Sequence, residues 1–435
     1  MRRLRFKHFL RERNALTFTG DETLLSVSEY YGVKPRSEAF SHEEYESRAE
    51  SLEGYRIVKR GDFVMNYMLA WKGAYGLSEH DGIVSPAYAV FQVDNRIIDR
   101  RYLHHRSRSN DMKSAFRSRS KGIIDSRLRL YPDSLLAMEI DLPELSTQRR
   151  IAKFLDRETG RIDELIGKKS AFRGLIATFE ETRFLATVTG KEMHGERADS
   201  GVRWIGTLPE GWLAPKFTMV ARQESGHTPS RKEPSYWIPD ECIIPWVSLA
   251  DVWQLRSGKT VYLADTAEKI SEIGMANSSA RLLPEGTVVL SRTASVGFSG
   301  ILAKPMATTQ DFAAWICGPT IRPKFLYYVL RAMKPEFRRL MMGSTHQTIY
   351  MPDIRAFRTP LPPLAEQDRI IAALDASISS YRKVHERLTE SVSMLREYRS
   401  ALITAAVTGQ IDVDTYDRTG KTSATLDRIE EETQA

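Results

Sequence analysis

Two stretches of the chain carry apolar side chains at alternating steps of four and three residues. In residues 151–183 seven of the ten positions of this stripe are apolar, and in residues 370–402 eight of the ten are. A repeat of 3.5 residues predicts a long helix with one continuous apolar face. Such a face needs a partner, and antiparallel pairing of the two helices would bury both stripes within one chain. The positions that we expect to form this pairing are Ile151, Leu155, Ile162, Leu165, Ile370, Leu374, Tyr381, Leu388 and Leu395.

The two predicted helices belong to a repeat whose copies are offset by 219 residues without a gap. Residues 142–190 recur as residues 361–409, and both copies open on Leu-Pro and close on Val-Thr-Gly. The prolines mark where each helix begins and the final glycines where it ends. The repeat predicts a first domain over 1–141, a spacer helix over 142–190, a linker and second domain over 191–360, a second spacer helix over 361–410, and a polar tail over 411–435 that we expect to be disordered.

The blocks that precede the two helices are predicted to have a mixed α/β (α+β) fold with short strands. Apolar runs bounded by Gly, Pro, Asp and Ser predict strands at 55–58, 61–66 and 88–93, and at 243–247, 287–290 and 312–316. Similar turn residues stand at corresponding places in the two blocks. We therefore expect two divergent copies of one fold, arranged about a pseudo-twofold with the two helices between them.

Composition excludes several classes of protein. With 435 residues, 42% of them hydrophobic, the chain is predicted to be globular with two or three cores. Two cysteines, Cys242 and Cys317, exclude a disulfide framework and a cysteine-based zinc site without outside ligands. The basic N-terminus lacks an apolar core of signal-peptide length, and no run reaches the length of a membrane span. We expect a soluble cytoplasmic protein.

Basic residues are concentrated in one window of the first block. Residues 100–129 hold ten Lys and Arg against two Asp, whereas the whole chain has a net charge of +7. A solvated basic helix would give this pattern too. The window lies inside a globular block just before the repeat, so contact with phosphates is favoured. The window residues predicted to contact DNA are Arg106, Arg108, Arg117, Arg119 and Lys121.

Several motifs of this chain resemble those of the DNA-specificity subunit of type I restriction-modification enzymes. They are the repeated Leu-Pro-x-Leu-x-x-Gln-x-x-Ile opening, the Val-Thr-Gly ending, the Trp-Ile-Gly-Thr-Leu-Pro-Glu-Gly-Trp run at 204–212, the His-Thr-Pro-Ser run at 227–230, and residues 244–251. The resemblance covers nearly the whole chain. Two departures are Ser-Thr in place of the usual Glu before Gln148, and the absence of a Trp-Ile-Gly entry in the first block.

The resemblance implies a non-catalytic subunit with two target recognition domains, each recognising one half of a split, asymmetric site in double-stranded DNA. It also implies that the paired helices bind two methyltransferase subunits, and that restriction/translocase subunits join the complex. No cofactor is expected in this chain, because S-adenosylmethionine, ATP and magnesium would belong to those partners. The length of the predicted helices supports this organisation independently of the resemblance. A helix of 33 residues spans roughly 50 Å, which could hold two domains about one duplex turn, roughly 34–36 Å, apart.

Polar loops supply further candidate DNA contacts. In the second block Arg292 could pair with a guanine edge and Gln347 with an adenine edge, although Arg292 could equally cap a turn. The candidates outside the basic window are Lys72 in the first block and Arg292, Thr293, Gln310, Ser344, Thr345 and Gln347 in the second.

Enzyme motifs are poorly matched. Residues 85–88 only approach the Asn-Pro-Pro-Tyr pattern of amino-methyltransferases, residues 132–141 lack the lysine of a nuclease core, and no Walker loop is present. No catalytic residue and no metal ligand is therefore assigned. A coiled-coil adapter with incidental DNA affinity is the alternative, but it would leave two large basic blocks unexplained. The glycines at 160, 167 and 174 have no assigned role.

Overall fold

The computed structural model describes residues 1–29, 32–39, 51–124, 127–256, 258, 260–341 and 347–434. The chain forms two compact units, unit 1 from Met1–Ala171 with Glu386–Ala435 and unit 2 from Phe172–His385. Each unit contains one globular domain and part of both long helices. We call the part of unit 1 that precedes the first long helix domain 1, and the part of unit 2 that precedes the second long helix domain 2.

The elements of the two domains and the helices follow in chain order. The strands of domain 1 and its border are β1 (Arg2–Arg5), β2 (Leu10–Glu12), β3 (Leu25–Ser28), β4 (Gly32–Pro35), β5 (Arg56–Val58), β6 (Phe63–Asn66), β7 (Tyr75–Leu77), β8 (Gly82–Val84), β9 (Tyr88–Val93) and β10 (Glu139–Leu142). The helices up to the first long one are α1 (Arg36–Ala39), α2 (Arg100–Ser107), α3 (Asn110–Arg119), α4 (Pro132–Ala137) and α5 (Leu145–Val188). The strands of unit 2 are β11 (Arg197–Val202), β12 (Gly206–Pro209), β13 (Ala221–Ser225), β14 (Cys242–Val247), β15 (Tyr262–Leu263), β16 (Glu268–Ser271), β17 (Val288–Ser291), β18 (Ser299–Leu302), β19 (Ala307–Thr308) and β20 (Phe312–Cys317). The remaining helices are α6 (Phe217–Val220), α7 (Val252–Arg256), α8 (Glu272–Ala276), α9 (Pro323–Ala332), α10 (Lys334–Met341), α11 (Met351–Arg355), α12 (Leu364–Val407), α13 (Val413–Arg418) and α14 (Lys421–Gln434).

The central sheets of the two domains have the same strand order. Domain 1 has the order β2-β9-β6-β7, and domain 2 has β13-β20-β17-β18 followed by β15. The four shared strands pair antiparallel in both sheets, whereas β15 joins its sheet parallel to β18. The expectation of two divergent copies of one fold is therefore confirmed.

The central strand of each sheet is buried on both faces. Because side chains alternate along a strand, Phe63 and Met65 of β6 enter the core that contains the helices, while Val64 enters a second core beneath β3 and β4. In domain 2, Val288 and Leu290 of β17 likewise face the helices. This two-sided burial explains why both strands are continuous apolar runs in the sequence.

The long helices α5 and α12 each contain 44 residues, 11 more than the apolar stripe alone predicts. Both end at a glycine in the left-handed region, Gly190 with φ 61° and Gly409 with φ 76°, which terminates an α-helix at no steric cost. All nine predicted pairing positions are buried or half-buried. In unit 1 the beginning of α5 lies with the end of α12, where Arg399 donates two hydrogen bonds to Asp163. In unit 2 the end of α5 lies with the beginning of α12, where the ring centroids of Phe179 and Tyr381 are 6.0 Å apart.

Residues 411–434 differ from the disordered tail that the polar composition of 411–435 predicts. They form α13 and α14, and Leu426 and Ile429 of α14 are buried in the core of unit 1. Arg161 of α5 donates a hydrogen bond to Ser423 at 3.0 Å. A sparse apolar stripe is enough here, because only one face of α14 needs to be covered.

Candidate nucleic-acid interface

Three loops meet at the same end of the central sheet in both domains. Loop A follows β6 or β17, loop B precedes β9 or β20, and loop C follows α3 or α10. Their residues are 67–74, 85–87 and 120–131 in domain 1, and 292–298, 309–311 and 342–350 in domain 2, of which 125–126 and 342–346 lie outside the described residues. Equivalent backbone hydrogen bonds join loops A and C, from Leu130 to Tyr67 at 2.9 Å and from Ile349 to Arg292 at 2.9 Å. Loops A and C therefore occupy corresponding positions in the two domains.

In domain 2 the predicted contact residues come together around Arg292. Its Nε donates to the carbonyl of Gln310 at 2.9 Å and its Nη1 to the carbonyl of Ile349 at 3.4 Å. The Thr293 hydroxyl donates to Asp311 at 2.6 Å. Arg292 therefore holds the three loops together, which agrees with the turn-capping alternative for this residue.

The exposed amides of this surface are those of Gln310 and Gln347. The Gln310 Oε1 accepts a hydrogen bond from the Thr228 hydroxyl at 2.8 Å, and the Gln347 carbonyl accepts one from the Ala294 amide at 2.9 Å. Ala294 has φ 56°, a conformation that costs on the order of 1–3 kcal/mol for a residue with a Cβ. Ser344 and Thr345, also predicted as contacts, lie outside the described residues.

In domain 1 the exposed cations gather around Trp71 of loop A. The guanidinium carbon of Arg117 lies 4.8 Å from the centre of the Trp71 ring, and the Lys72 Nζ lies 5.2 Å from it. Such contacts fix a cation over an aromatic face while leaving its charge exposed. Arg119 and Lys121 are also exposed nearby in sequence, at the end of α3 and in loop C.

Two other arginines of the basic window are buried. Arg106 is 8% exposed and Arg108 6%. Arg106 donates a hydrogen bond to the Ser109 hydroxyl at 2.6 Å and forms an ion pair with Asp111 at 2.8 Å. Arg108 donates to the carbonyls of Tyr75 at 2.7 Å and Glu29 at 3.1 Å. Part of the positive charge of the window is thus buried and hydrogen-bonded within domain 1. The structure does not bring these two side chains to the loop surface.

A basic groove in domain 1 was missed by the sequence reading. Two adjoining pockets of about 480 and 370 Å³ share Arg60 and Arg100. Their other cationic lining residues are Lys7, Arg11, Arg13, Lys59, Arg96, Arg101 and Arg149. Part of this charge is neutralised, since Arg13 pairs with Asp62 at 2.7 Å. The run of basic residues before position 14 is the signal that the sequence offers for this groove.

A buried glutamine joins each domain to the long helix that follows it. The Gln148 side chain accepts from the Asp99 amide at 2.9 Å and donates to the Pro143 carbonyl at 2.9 Å. Its repeat partner Gln367 accepts from the Arg322 amide at 2.8 Å and donates to the Pro362 carbonyl at 2.9 Å. Asp99 and Arg322 precede α2 and α9 as their N-cap residues. The Gln-x-x-Ile motif is thus explained by the attachment of a domain to its helix.

An aspartate about two turns further along each long helix completes the attachment. We call the glutamine and aspartate contacts together the domain–helix joint. Asp156 accepts from His105 at 2.7 Å, and Asp375 accepts from Lys324 at 2.7 Å and from the hydroxyl of Tyr328. Burial lowers the pKa of His105, although Asp156 opposes this shift. Burial and the bond to Asp375 raise the pKa of Tyr328, so its hydroxyl remains a donor.

Among the described residues, no group of three or more His, Cys, Asp or Glu side chains could hold a metal ion. No helix among these described residues is long and apolar enough to cross a membrane.

Comparison with known proteins gives consistent results. The model of the type I restriction modification DNA specificity domain matches residues 226–393. The type I restriction enzyme MjaIX specificity subunit of Methanocaldococcus jannaschii is 28% identical over 189 residues, which are 42% of this chain and 42% of that protein. The MjaVIII specificity subunit of the same organism is 22% identical over 381 residues, 82% of this chain and 80% of that protein. This chain thus spans less than half of the first relative's length.

A solved structure shares the fold over almost the whole chain. It is described as the structural basis of complex assembly and conformational transition of the type I R-M system. Its matching chain has a TM-score of 0.65 and 18% identity, and the match covers 93% of this chain and 97% of that one.

Proposed function

We propose that this chain, a member of the type I restriction-modification specificity family, recognises a bipartite, asymmetric sequence in double-stranded DNA. Each domain would recognise one half-site through its three loops. The observation that carries this proposal is that loops A, B and C occupy the same positions on two copies of one sheet but present different side chains. Domain 1 presents Trp71 with Lys72 and Arg117, whereas domain 2 presents Gln310 and Gln347. Two different loop surfaces on one scaffold favour two different half-sites.

The chemistry of the exposed groups suits a duplex. A glutamine amide can donate to and accept from one adenine edge in the major groove, which gives base discrimination. Lys72, Arg117, Arg119 and Lys121 would contact phosphates, which give affinity and register without sequence information. We assign Arg292 to holding the domain 2 loops, since two of its nitrogens already donate to backbone carbonyls.

We further propose that the chain is a non-catalytic subunit that brings two methyltransferase subunits, and restriction/translocase subunits, to the DNA. Those partners would supply the sites for S-adenosylmethionine, ATP and magnesium. Exposed apolar side chains on the long helices support a partner surface, because such groups on a protein surface commonly mark an interface. In unit 2 these are Phe172, Leu175, Phe179 and Val384.

The test is the pattern of adenine methylation in cells that carry this chain with its cognate methyltransferase. We expect a methylated motif of two dissimilar parts separated by unspecified bases. Replacing both Gln310 and Gln347 with Ala should relax one part only, at roughly 1–3 kcal/mol per lost bidentate contact. Gln410→Ala, at an exposed glutamine beyond α12, is the matched control. A single continuous or palindromic motif would refute the proposal.

A further inference from the structure

A pocket of about 320 Å³ in unit 1 lies where loop A and α3 of domain 1 approach the long helices of the same unit. Cations outnumber carboxylates in its lining. The cations are Lys72, Arg108, Lys113, Arg396 and Arg399, and the carboxylates are Glu29 and Asp163. The remaining lining residues carry no charge.

In the part of the chain that the structure describes, the five cations of this pocket face two carboxylates. Arg399 donates to both oxygens of Asp163, at 2.8 and 3.0 Å. Arg108 donates hydrogen bonds to two backbone carbonyls, which carry no net charge. Its buried Nε has no hydrogen-bond partner among the described residues. Burial lowers the pKa of Lys113, and the charges of Arg108 and Arg399 lower it further. The cations of the pocket therefore repel one another.

The second copy of the repeat provides an internal comparison. Arg331 of α9 stands where Arg108 stands in domain 1, but it donates to Glu180 of α5 at 2.9 Å. Arg338 donates to both oxygens of Glu181 at 2.9 Å. With the offset of 219 residues, Glu180 corresponds to Arg399. Unit 2 therefore neutralises its cations with a carboxylate at the position where unit 1 has a further cation.

We propose that the pocket of unit 1 binds a phosphate-type oxyanion, and that unit 2 has no such site. Lys72 and Lys113 would donate hydrogen bonds to the oxyanion, while Arg108 and Arg399 would stabilise its charge from the walls. Such an anion would take the electrostatic place that Glu180 occupies in unit 2. Its source is either a free phosphate or a backbone phosphate of a duplex on loop A, and the second source rests on the proposed function.

The first experiment uses inorganic phosphate and the full-length chain. Affinity is measured by calorimetry at constant ionic strength, with chloride as the balancing anion. Replacing Lys72 and Lys113 together with Gln should weaken phosphate binding by about tenfold or more, since each lost charge-assisted hydrogen bond is worth roughly that factor. Lys334→Gln, in the neutralised cluster of unit 2, is the matched control and should bind as the unaltered chain does.

A second variant separates the placement of charge from its amount. Asp163→Arg with Arg399→Glu gives both positions the residue types of their unit 2 counterparts, Arg382 and Glu180, without changing the net charge. It puts a carboxylate where phosphate would bind, so phosphate affinity should fall while the melting temperature is retained. A variant that keeps the melting temperature and binds phosphate as before would overturn the site.

The source of the anion is decided by DNA binding at several salt concentrations. Lys113→Gln alone is used here, because Lys72 is also proposed to contact a phosphate from loop A. If the pocket holds a backbone phosphate, this variant should reduce the slope of log affinity against log salt by about 0.9. Phosphate binding with an unchanged slope supports a free anion. The site is overturned if the substituted chains keep both the phosphate affinity and the salt dependence of the unaltered chain. A chain that binds phosphate but no duplex would instead refute the proposed function and leave the pocket standing.

Discussion

Single buried side chains connect each globular domain to the long helix that follows it. Gln148 and Gln367 are both almost fully buried, and each bridges a backbone amide of its domain to a carbonyl just before the helix. A buried amide or carbonyl left without its partner costs roughly 1–3 kcal/mol. Replacing this buried glutamine should therefore cost the domain–helix joint much more stability than replacing an exposed glutamine would.

Gln148→Leu should lower the free energy of unfolding of unit 1 by about 2 kcal/mol, because Asp99 and Pro143 lose their buried partner. Gln367→Leu should have a similar effect on unit 2. Chemical denaturation, monitored by hydrogen exchange in each unit, measures the two effects separately. Gln410→Leu is the control, and a loss no larger than that control would contradict this role for the joint.

The two joints should also differ in their response to pH. Burial lowers the pKa of His105 below its usual value of 6.5, so the unfolded chain takes up a proton at a higher pH than the folded one does. The stability of unit 1 should therefore be unaffected by this group above about pH 6.5 and should fall as pH drops below it. Tyr328, the corresponding residue in unit 2, does not titrate in this range.

His105→Tyr, which introduces the residue found in unit 2, should flatten the pH dependence of unit 1 between pH 7 and 5. Hydrogen exchange in unit 1, with unit 2 of the same molecules as the reference, is the measurement. His104 is a second buried histidine whose pKa is lowered by burial, so part of the dependence should remain. An unchanged profile would assign it to other groups.

At the scale of elements, the helices and strands with a periodic pattern were predictable, whereas the hydrogen-bond partners of individual side chains were not. The apolar stripes, the central strands and the duplicated sheet follow from spacing alone, because burial imposes period 3.5 or 2 on the sequence. Which arginines of the basic window face inward is decided by partners distant in sequence, such as Tyr75 for Arg108. The groove around Arg60 and Arg100 could not be predicted for the same reason, since its cationic residues come from four separate segments.

The C-terminal helix offers a test of an element that composition concealed. Leu426→Ala in α14 removes a side chain that is only 5% exposed and should destabilise unit 1 by roughly 2–4 kcal/mol. Asp427→Ala, on the exposed face of the same helix, should change stability by less than about 0.5 kcal/mol. Denaturant unfolding of both variants decides between a packed helix and a dispensable tail.

At the scale of the whole molecule, the proposed division of labour assigns base recognition to loops and spacing to helices. Inserting one heptad after Ala171 and another after Thr389 keeps the 3.5-residue stripes in phase and lengthens each helix by about 10 Å. The methylated motif should then gain about three base pairs in its unspecified part, with both recognised parts unchanged. A change in the recognised bases would show that the helices contribute to recognition.

The sign inversion between Glu180 and Arg399 has a consequence for directionality. If each domain contacts one half-site as proposed, two copies of one fold offer nearly the same backbone to either half-site. One carboxylate in place of one guanidinium distinguishes the two copies by charge. Unit 1 would then make the more favourable first approach to a phosphate backbone, before any base edge is contacted.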